Sequence, residues 1–184
     1  MSKTIKGLSL WQPHSSLMAV GAKKIETRHW HTDYRGLVAI HAAKRFQETE
    51  RLLLGDKRFF NALSLDYDGE GDEQPTPESV AKALPLGCFV AVGLLRHCLS
   101  TTRDLKLIPS EKTDEFWFGD YSPGRFMWVF DEIWKLSSPV FAAGQRRLWT
   151  LDERAKDVIF ALLPEEVEHG QTTANLEQAQ ANQS

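Results

Sequence analysis

Apolar and polar positions alternate along several short stretches of the chain and follow a helical spacing along others. Alternation predicts a half-buried β-strand, whereas a spacing near 3.6 residues predicts an amphipathic helix. Strands are predicted at residues 8–11, 24–31, 37–43, 87–99, 124–136 and 146–151. Helices are predicted from Gln12-Pro13 to Gly21, over 45–63 with a break at Gly55-Asp56, over 110–118, and after Asp152 as the cap.

The order of these elements indicates the fold class. There are about five or six strands with helices between them, and no βαβ unit repeats. Such an order predicts an α+β fold built on a small, curved or closed, mostly antiparallel sheet. The strands at 24–31 and 37–43, joined by the turn TDYRG, are predicted to pair as a hairpin.

Two segments are expected to lie outside the packed structure. Residues 65–78 include six acidic residues, two glycines and two prolines, which predicts a mobile acidic loop inserted within one domain, 1–163. Residues 164–184 are rich in Gln, Asn, Ala and Thr, and they predict a disordered tail.

Length and composition narrow the class of protein. The 184 residues suit one domain. No apolar run approaches the ~20 residues that span a bilayer, and no signal peptide is recognisable, so a cytoplasmic location without a membrane partner is expected. Cys88 and Cys98 are expected to be free thiols. The sequence does not specify an oligomeric state.

The formal net charge of −3 is unevenly distributed. Residues 1–58 contain 11 Lys and Arg against 5 Asp and Glu, whereas residues 59–184 contain 11 against 20. A nucleic-acid partner is therefore compatible with the overall acidity. A local contact with a short strand or a single nucleotide is favoured over a grip on a long polyanion.

The densest polar cluster is the stretch GAKKIETRHWH, residues 21–31. On a strand, Glu26, Arg28 and Trp30 would share one face, and Lys23 would lie close to the same opening. An indole can stack on a base, a guanidinium can bind phosphate or a carbonyl, and a carboxylate can accept from an exocyclic amine. The alternative is a solvated strand carrying an ordinary ion pair.

Other polar and aromatic residues have weaker signals. Trp11 stands at a strand-to-helix junction, and Arg125 ends the turn-rich loop at 119–125. The aromatic residues of the 124–136 strand are expected to be core. A zinc site at His29, His31 and His41 is disfavoured because no cysteine or acid has matching spacing, and no metal or other cofactor is expected.

A resemblance to ASCH (activating signal cointegrator homology) domains of the PUA-like superfamily is carried by the segments LSLWQPHSSLMAVGAKKIETRHWHTDYRGLVAIHAAK, LPLGCFVAVGLL, FGDYSPGRFMWVF and RRLWTLD. The resemblance covers roughly residues 5–153. It implies a small β-barrel with flanking helices and a Gly-x-Lys-x-x-Glu-x-Arg motif, here Gly21, Lys23, Glu26 and Arg28, beside a cleft for RNA or a nucleobase.

Some members of this superfamily are enzymes. One branch hydrolyses the amide of N-acetylcytidine with a Lys, a Thr and a Glu. In this chain Lys23 matches the lysine, whereas Glu26 occupies the position of the threonine, and Thr27 is adjacent to it. The glutamate of that branch has no clear counterpart, with Glu111 and Glu115 as candidates. Another relative is a ribonuclease, in which the positions of Lys23, Glu26 and Arg28 would supply base and phosphate contacts.

These observations together predict a domain that binds RNA or a modified nucleoside. Trp11 and Trp30 are the candidates for stacking; Lys23, Arg28 and Arg125 for phosphate or carbonyl contacts; and Glu26 for reading a base edge. A first alternative is a small amidohydrolase or ribonuclease in which Lys23 and Glu26 are catalytic. A second is a protein-interaction module in transcription or RNA metabolism that uses the acidic loop and the tail.

Overall fold

The computed structural model describes residues 4–65, 67, 74–164 and 167. Six strands are present in this part of the chain: β1 (Ile5–Leu10), β2 (Ile25–Arg28), β3 (Gly36–Ala42), β4 (Cys88–Ser100), β5 (Phe126–Phe141) and β6 (Leu148–Thr150). The helices are α1 (His14–Ala19), α2 (Glu48–Leu52), α3 (Lys57–Ser64), α4 (Pro77–Ala83), α5 (Asp114–Trp117) and α6 (Glu153–Ala161). Short 3₁₀ turns occur at Leu53–Gly55 and Leu105–Leu107.

All six strands form one curled sheet in the order β2-β5-β4-β3-β1-β6, which makes a half-barrel. Among the described strands, β1 and β3 are parallel and the other four neighbouring pairs are antiparallel. The predicted α+β class and the predicted mostly antiparallel, curved sheet are confirmed.

The predicted hairpin between β2 and β3 is wrong. β2 pairs with β5, so that Ile25 lies opposite Val129, whereas β3 lies between β1 and β4. The chain between β2 and β3 is seven residues long, and within it Trp30 packs edge-on against Trp128, with ring centroids 4.5 Å apart. This packing holds the connection beside β5 and leaves β2 at one edge of the sheet.

The sheet is covered on both faces, and β3 illustrates why its sequence is almost continuously apolar. Val38 and Ile40 pack on one face with Met18 of α1, while Leu37 packs on the other with Ile159 of α6. A strand buried on both sides needs apolar residues at successive positions. The predicted aromatic core of β5 is present as well, since Trp128 and Phe130 are fully buried.

Helices α1, α3 and α4 share a third apolar cluster that includes Leu17, Phe59 and Phe118. Phe59 and Phe118 of this cluster also line the cleft described below. α4 begins at Pro77, and the Thr76 side chain accepts a hydrogen bond from Ser79 N at 3.1 Å. The first two residues of α4 were predicted to be loop, and their helical conformation corrects that boundary.

The rest of the predicted acidic loop at residues 66 and 68–73, and nearly all of the predicted tail, lie outside the described residues. Both cysteines are free, as expected. Within the described part of the chain, every helix falls short of the length and apolar character that crossing a membrane requires.

Candidate functional site

A cleft of about 430 Å³ opens between the sheet and the helices. β1 and β2 supply its floor, the start of α1 and the 3₁₀ turn at Leu53–Gly55 supply one side, and α5 with the loop after it supplies the other. Its size falls within the usual range of small-molecule sites. Its polar lining residues are Ser9, His14, Glu26, Thr27, Arg28, Asp120 and Arg125, and its aromatic ones are Trp11, Phe59, Trp117 and Phe118.

Glu26 and Arg28 lie side by side in the cleft, as their alternate positions on β2 predict. Arg28 Nε is 3.2 Å from Glu26 Oε1. Arg28 Nη2 donates to the main-chain oxygen of Ser9 on β1 at 2.8 Å. The guanidinium therefore connects β2, at one end of the strand order, with β1, the second strand from the other end, and partly neutralises the carboxylate.

Lys23 does not line the cleft; it lies completely buried beneath it. Its Nζ donates to the main-chain oxygens of Ile25 and Phe118 at 2.5 and 2.7 Å and is 3.5 Å from Glu26 Oε2. A buried ammonium must have such partners, because an uncompensated charge in the interior is strongly destabilising. Lys23 thus holds Glu26 from below and ties α5 to β2.

Glu26 is ionised in this environment. Burial alone would raise the pKa of its carboxyl group, but the nearby Lys23 ammonium and Arg28 guanidinium outweigh burial, and the pKa lies below its usual value. Only about a tenth of the Glu26 side chain is exposed. The cleft therefore has a fixed hydrogen-bond acceptor at its base, suited to an N–H group of a ligand.

Among the described residues, two buried nitrogen atoms of the cleft have no hydrogen-bond partner, His14 Nδ1 and Arg125 Nε, and Arg28 Nε has only its ion-pair contact with Glu26. Buried polar atoms are nearly always satisfied, so a group of unsatisfied ones around one opening is unusual. Burial and the Lys23 charge lower the pKa of His14 to about 4, which makes its imidazole neutral near pH 7. The cleft thus has unused hydrogen-bonding capacity that a polar ligand would satisfy.

Arg125 and Asp120 close the side of the cleft formed by the 119–125 loop. Arg125 Nη1 is 3.2 Å from Asp120 Oδ2, and Arg125 Nη2 donates to Thr27 O at 3.1 Å. The Thr27 hydroxyl accepts from Asp120 N at 3.0 Å. Arg125 therefore lines the cleft, and the Thr27 hydroxyl is occupied in holding the loop.

Two partly exposed tryptophans stand at the opening. Trp11 is 55% exposed, because it follows β1 and precedes α1 rather than belonging to either. Trp117, at the end of α5, is 45% exposed, and Arg58 lies 4.0 Å from its ring centroid. Exposed tryptophan side chains beside a polar cleft are suited to stacking on a planar ligand.

Trp30, the other predicted stacking residue, lies away from the cleft. β2 ends at Arg28, so the strand alternation that would bring Trp30 onto the face of Glu26 does not continue. Trp30 packs against Trp128, which donates from Nε1 to Trp30 O at 3.3 Å. Glu115 is also engaged elsewhere, since it accepts from the main-chain N–H groups of Lys24 and Ile25.

His14, Asp120 and Trp117 line the cleft and were not singled out in the sequence. In the sequence, His14 could have been found as a lone polar residue at the first position of α1. Trp117 could have been found as an aromatic residue in a short, acidic helix. His41 is buried, with Nε2 3.0 Å from Ala142 O, whereas His29 is exposed. The described residues contain no cluster of three metal-ligating side chains.

Comparison with known proteins gives relatives in both sequence and structure, although no family model matches the chain. It is 29% and 30% identical to activating signal cointegrator 1 of Mus musculus and Homo sapiens, over 77% of this chain and 24% of each relative. It therefore spans about a quarter of their length. In structure it is similar to ASCH from Zymomonas mobilis, with a TM-score of 0.50 and 11% identity, over 86% of this chain and 95% of that chain.

Proposed function

We propose that this chain, an ASCH-domain protein with a PUA-like fold, binds a single nucleobase of RNA or a modified nucleoside in its cleft. The observation that carries the proposal is the ionised Glu26 at the base of an opening where, among the described residues, His14 Nδ1 and Arg125 Nε are buried without a hydrogen-bond partner. A nucleobase carries both N–H donors and carbonyl acceptors at its edge, so it can match both kinds of group.

Each part of the cleft has a role in this proposal. The carboxylate of Glu26 accepts from an exocyclic amine or ring N–H of the base, and Arg28 and Arg125 donate to a carbonyl or phosphate oxygen. Trp11 stacks on the face of the base. Lys23 is a positioning residue, since its Nζ is occupied by Glu26 and two main-chain oxygens below the opening.

Binding is tested by titrating the four ribonucleosides, N-acetylcytidine and short single-stranded RNAs into the protein by calorimetry. Charge-assisted hydrogen bonds contribute about 1.5–3 kcal/mol each, so R28Q is expected to weaken binding by at least about tenfold. The matched control is Arg96, an arginine outside the cleft that also pairs with a carboxylate. Its Nε is 2.8 Å from Asp131 Oδ2. R96Q should leave affinity unchanged; equal losses in R28Q and R96Q would contradict the site.

A second candidate function is hydrolysis of an acylated nucleoside, favoured by the neutral imidazole of His14 and the ionised Glu26 in one cleft. Either group could accept a proton from a water that attacks the amide carbonyl. Lys23 would contribute only by holding Glu26. Amidase and ribonuclease activity are tested together by incubating the protein with N-acetylcytidine and with short RNAs and separating the products by chromatography. Turnover that E26Q abolishes supports catalysis. Absence of turnover contradicts catalysis and leaves binding as the proposed function.

A further inference from the structure

A second concave surface, here called the basic groove, lies beside the cleft. It has a volume of about 970 Å³, and its lining includes Lys44, Arg45 and Arg146. Ser9 lines both the cleft and the basic groove. Its main-chain oxygen accepts from Arg28 of the cleft, and its hydroxyl lies 3.2 Å from Nδ1 of His41, which lines the groove. The two surfaces therefore adjoin at Ser9.

Among the described residues, no acidic side chain compensates the positive charges of the basic groove. Lys44, Arg45 and Arg146 are exposed, and no Asp or Glu occurs among the described residues that line the groove. Nor does any carboxylate in the described ranges form an ion pair with these three side chains. The arginines of the cleft differ, since Arg28 and Arg125 each have an acidic partner.

The wall of the groove that carries Arg146 is held directly against the sheet. A main-chain oxygen only accepts, so His41 Nε2 donates to Ala142 O at 3.0 Å, and His41 Nδ1 is left to accept from the Ser9 hydroxyl. A side chain at Gly144 would place Cβ 2.5 Å from His41 Cε1, so only glycine fits this close approach. The loop at 142–147 is thereby fixed next to the cleft.

We propose that the basic groove binds the sugar–phosphate backbone of a single RNA strand, one base of which occupies the cleft. This inference rests on the proposed function of the cleft. An ammonium and two guanidinium groups without acidic neighbours match the charge of successive phosphates, and single-strand sites commonly combine such a groove with aromatic platforms for bases. The ligand is accordingly a short strand rather than a free nucleoside.

The test compares a single-stranded RNA heptanucleotide with its constituent ribonucleosides between 50 and 200 mM salt. Binding is measured for the wild type, for K44Q/R45Q/R146Q, and for the control K82Q/R103Q/K106Q, which removes the same charge from exposed residues outside both surfaces. Each phosphate contact of a single strand contributes about 0.7 to the slope of log affinity against log salt. The groove variant is expected to lose about 2 units of that slope.

Over this fourfold range of salt, a slope difference of about 2 makes the oligonucleotide affinity of the wild type fall about 16-fold more than that of the groove variant. Nucleoside affinity should be the same in all three proteins. Two results would contradict the groove assignment while the cleft proposal stands. One is equal oligonucleotide affinity in the wild type and the groove variant, and the other is a loss of oligonucleotide affinity in the control variant as large as that in the groove variant. If the wild type binds neither nucleosides nor the oligonucleotide, both fall.

Discussion

Replacing Lys23 by methionine removes the charge beneath the cleft while keeping a side chain of similar length. Glu26 would lose one of its two cationic partners, and the main-chain oxygens of Ile25 and Phe118 would lose their donor. Removing one member of a buried ion pair costs about 3–5 kcal/mol, and each unsatisfied buried acceptor costs about 1–3 kcal/mol. Because these costs overlap, we expect K23M to lose about 3–5 kcal/mol of unfolding free energy at pH 7.

The loss should depend on pH. In the wild type the pKa of Glu26 lies below its ordinary value of 4.5, so its stabilising contribution is fully present above pH 4.5 and is lost only as the pH falls through the lowered pKa. In K23M, burial has lost its largest opposing cause, the Lys23 charge, and the pKa of Glu26 should rise above 4.5. The variant is then penalised most at neutral pH and progressively less as the pH falls towards 4.5.

The assay is urea denaturation at pH 7 and pH 5, with K24M as the control because Lys24 is the exposed neighbour of Lys23. K24M should change stability by less than about 0.5 kcal/mol. The double variant K23M/E26Q should recover part of the loss, since no buried carboxylate is then left with a missing partner. A loss in K23M below about 1 kcal/mol, or one equal at both pH values, would refute the supporting role of Lys23.

Three further predictions concern binding and packing. W11A should weaken nucleoside binding by about 1–3 kcal/mol in calorimetry. L105A, which removes an exposed apolar side chain outside the cleft and the basic groove, should not, and equal effects would contradict stacking. G93A places Cβ 2.6 Å from Cδ1 of the buried Phe130 and should cost about 1–3 kcal/mol in urea denaturation; an unchanged midpoint would contradict this tight approach. D152A removes the carboxylate that accepts a 2.8 Å hydrogen bond from Ala155 N in the first turn of α6, and it should lower the free energy of unfolding by about 1 kcal/mol in the same assay. An unchanged free energy of unfolding would contradict this capping role.

The elements themselves could be predicted from the sequence because their signals are local. The alternation in β5, the break before α3 and the Asp152 cap each depend on a few neighbouring residues. Pairing between strands could not be predicted in the same way. β2 pairs with a strand about 100 residues later, and nothing within residues 25–28 specifies that partner.

The candidate site shows the same division. Glu26 and Arg28 were placed together by strand alternation, which requires only that β2 be a strand. His14 and Trp117 come from other elements, and only the tertiary structure brings them to the same opening. Lys23 was expected close to the opening because it stands just before the strand. Its burial follows from the two main-chain oxygens and the carboxylate that surround Nζ.

The most direct test of the central claim is an NMR titration that follows the indole N–H signals of the six tryptophans during addition of nucleoside or short single-stranded RNA. Binding in the cleft should shift the signals of Trp11 and Trp117 and leave that of Trp149, which lies outside the cleft, unchanged. R28Q should require at least about tenfold more ligand for the same shift. Shifts confined to Trp149, or no shift of Trp11 and Trp117 at saturating ligand, would contradict the proposal that this cleft binds a nucleobase.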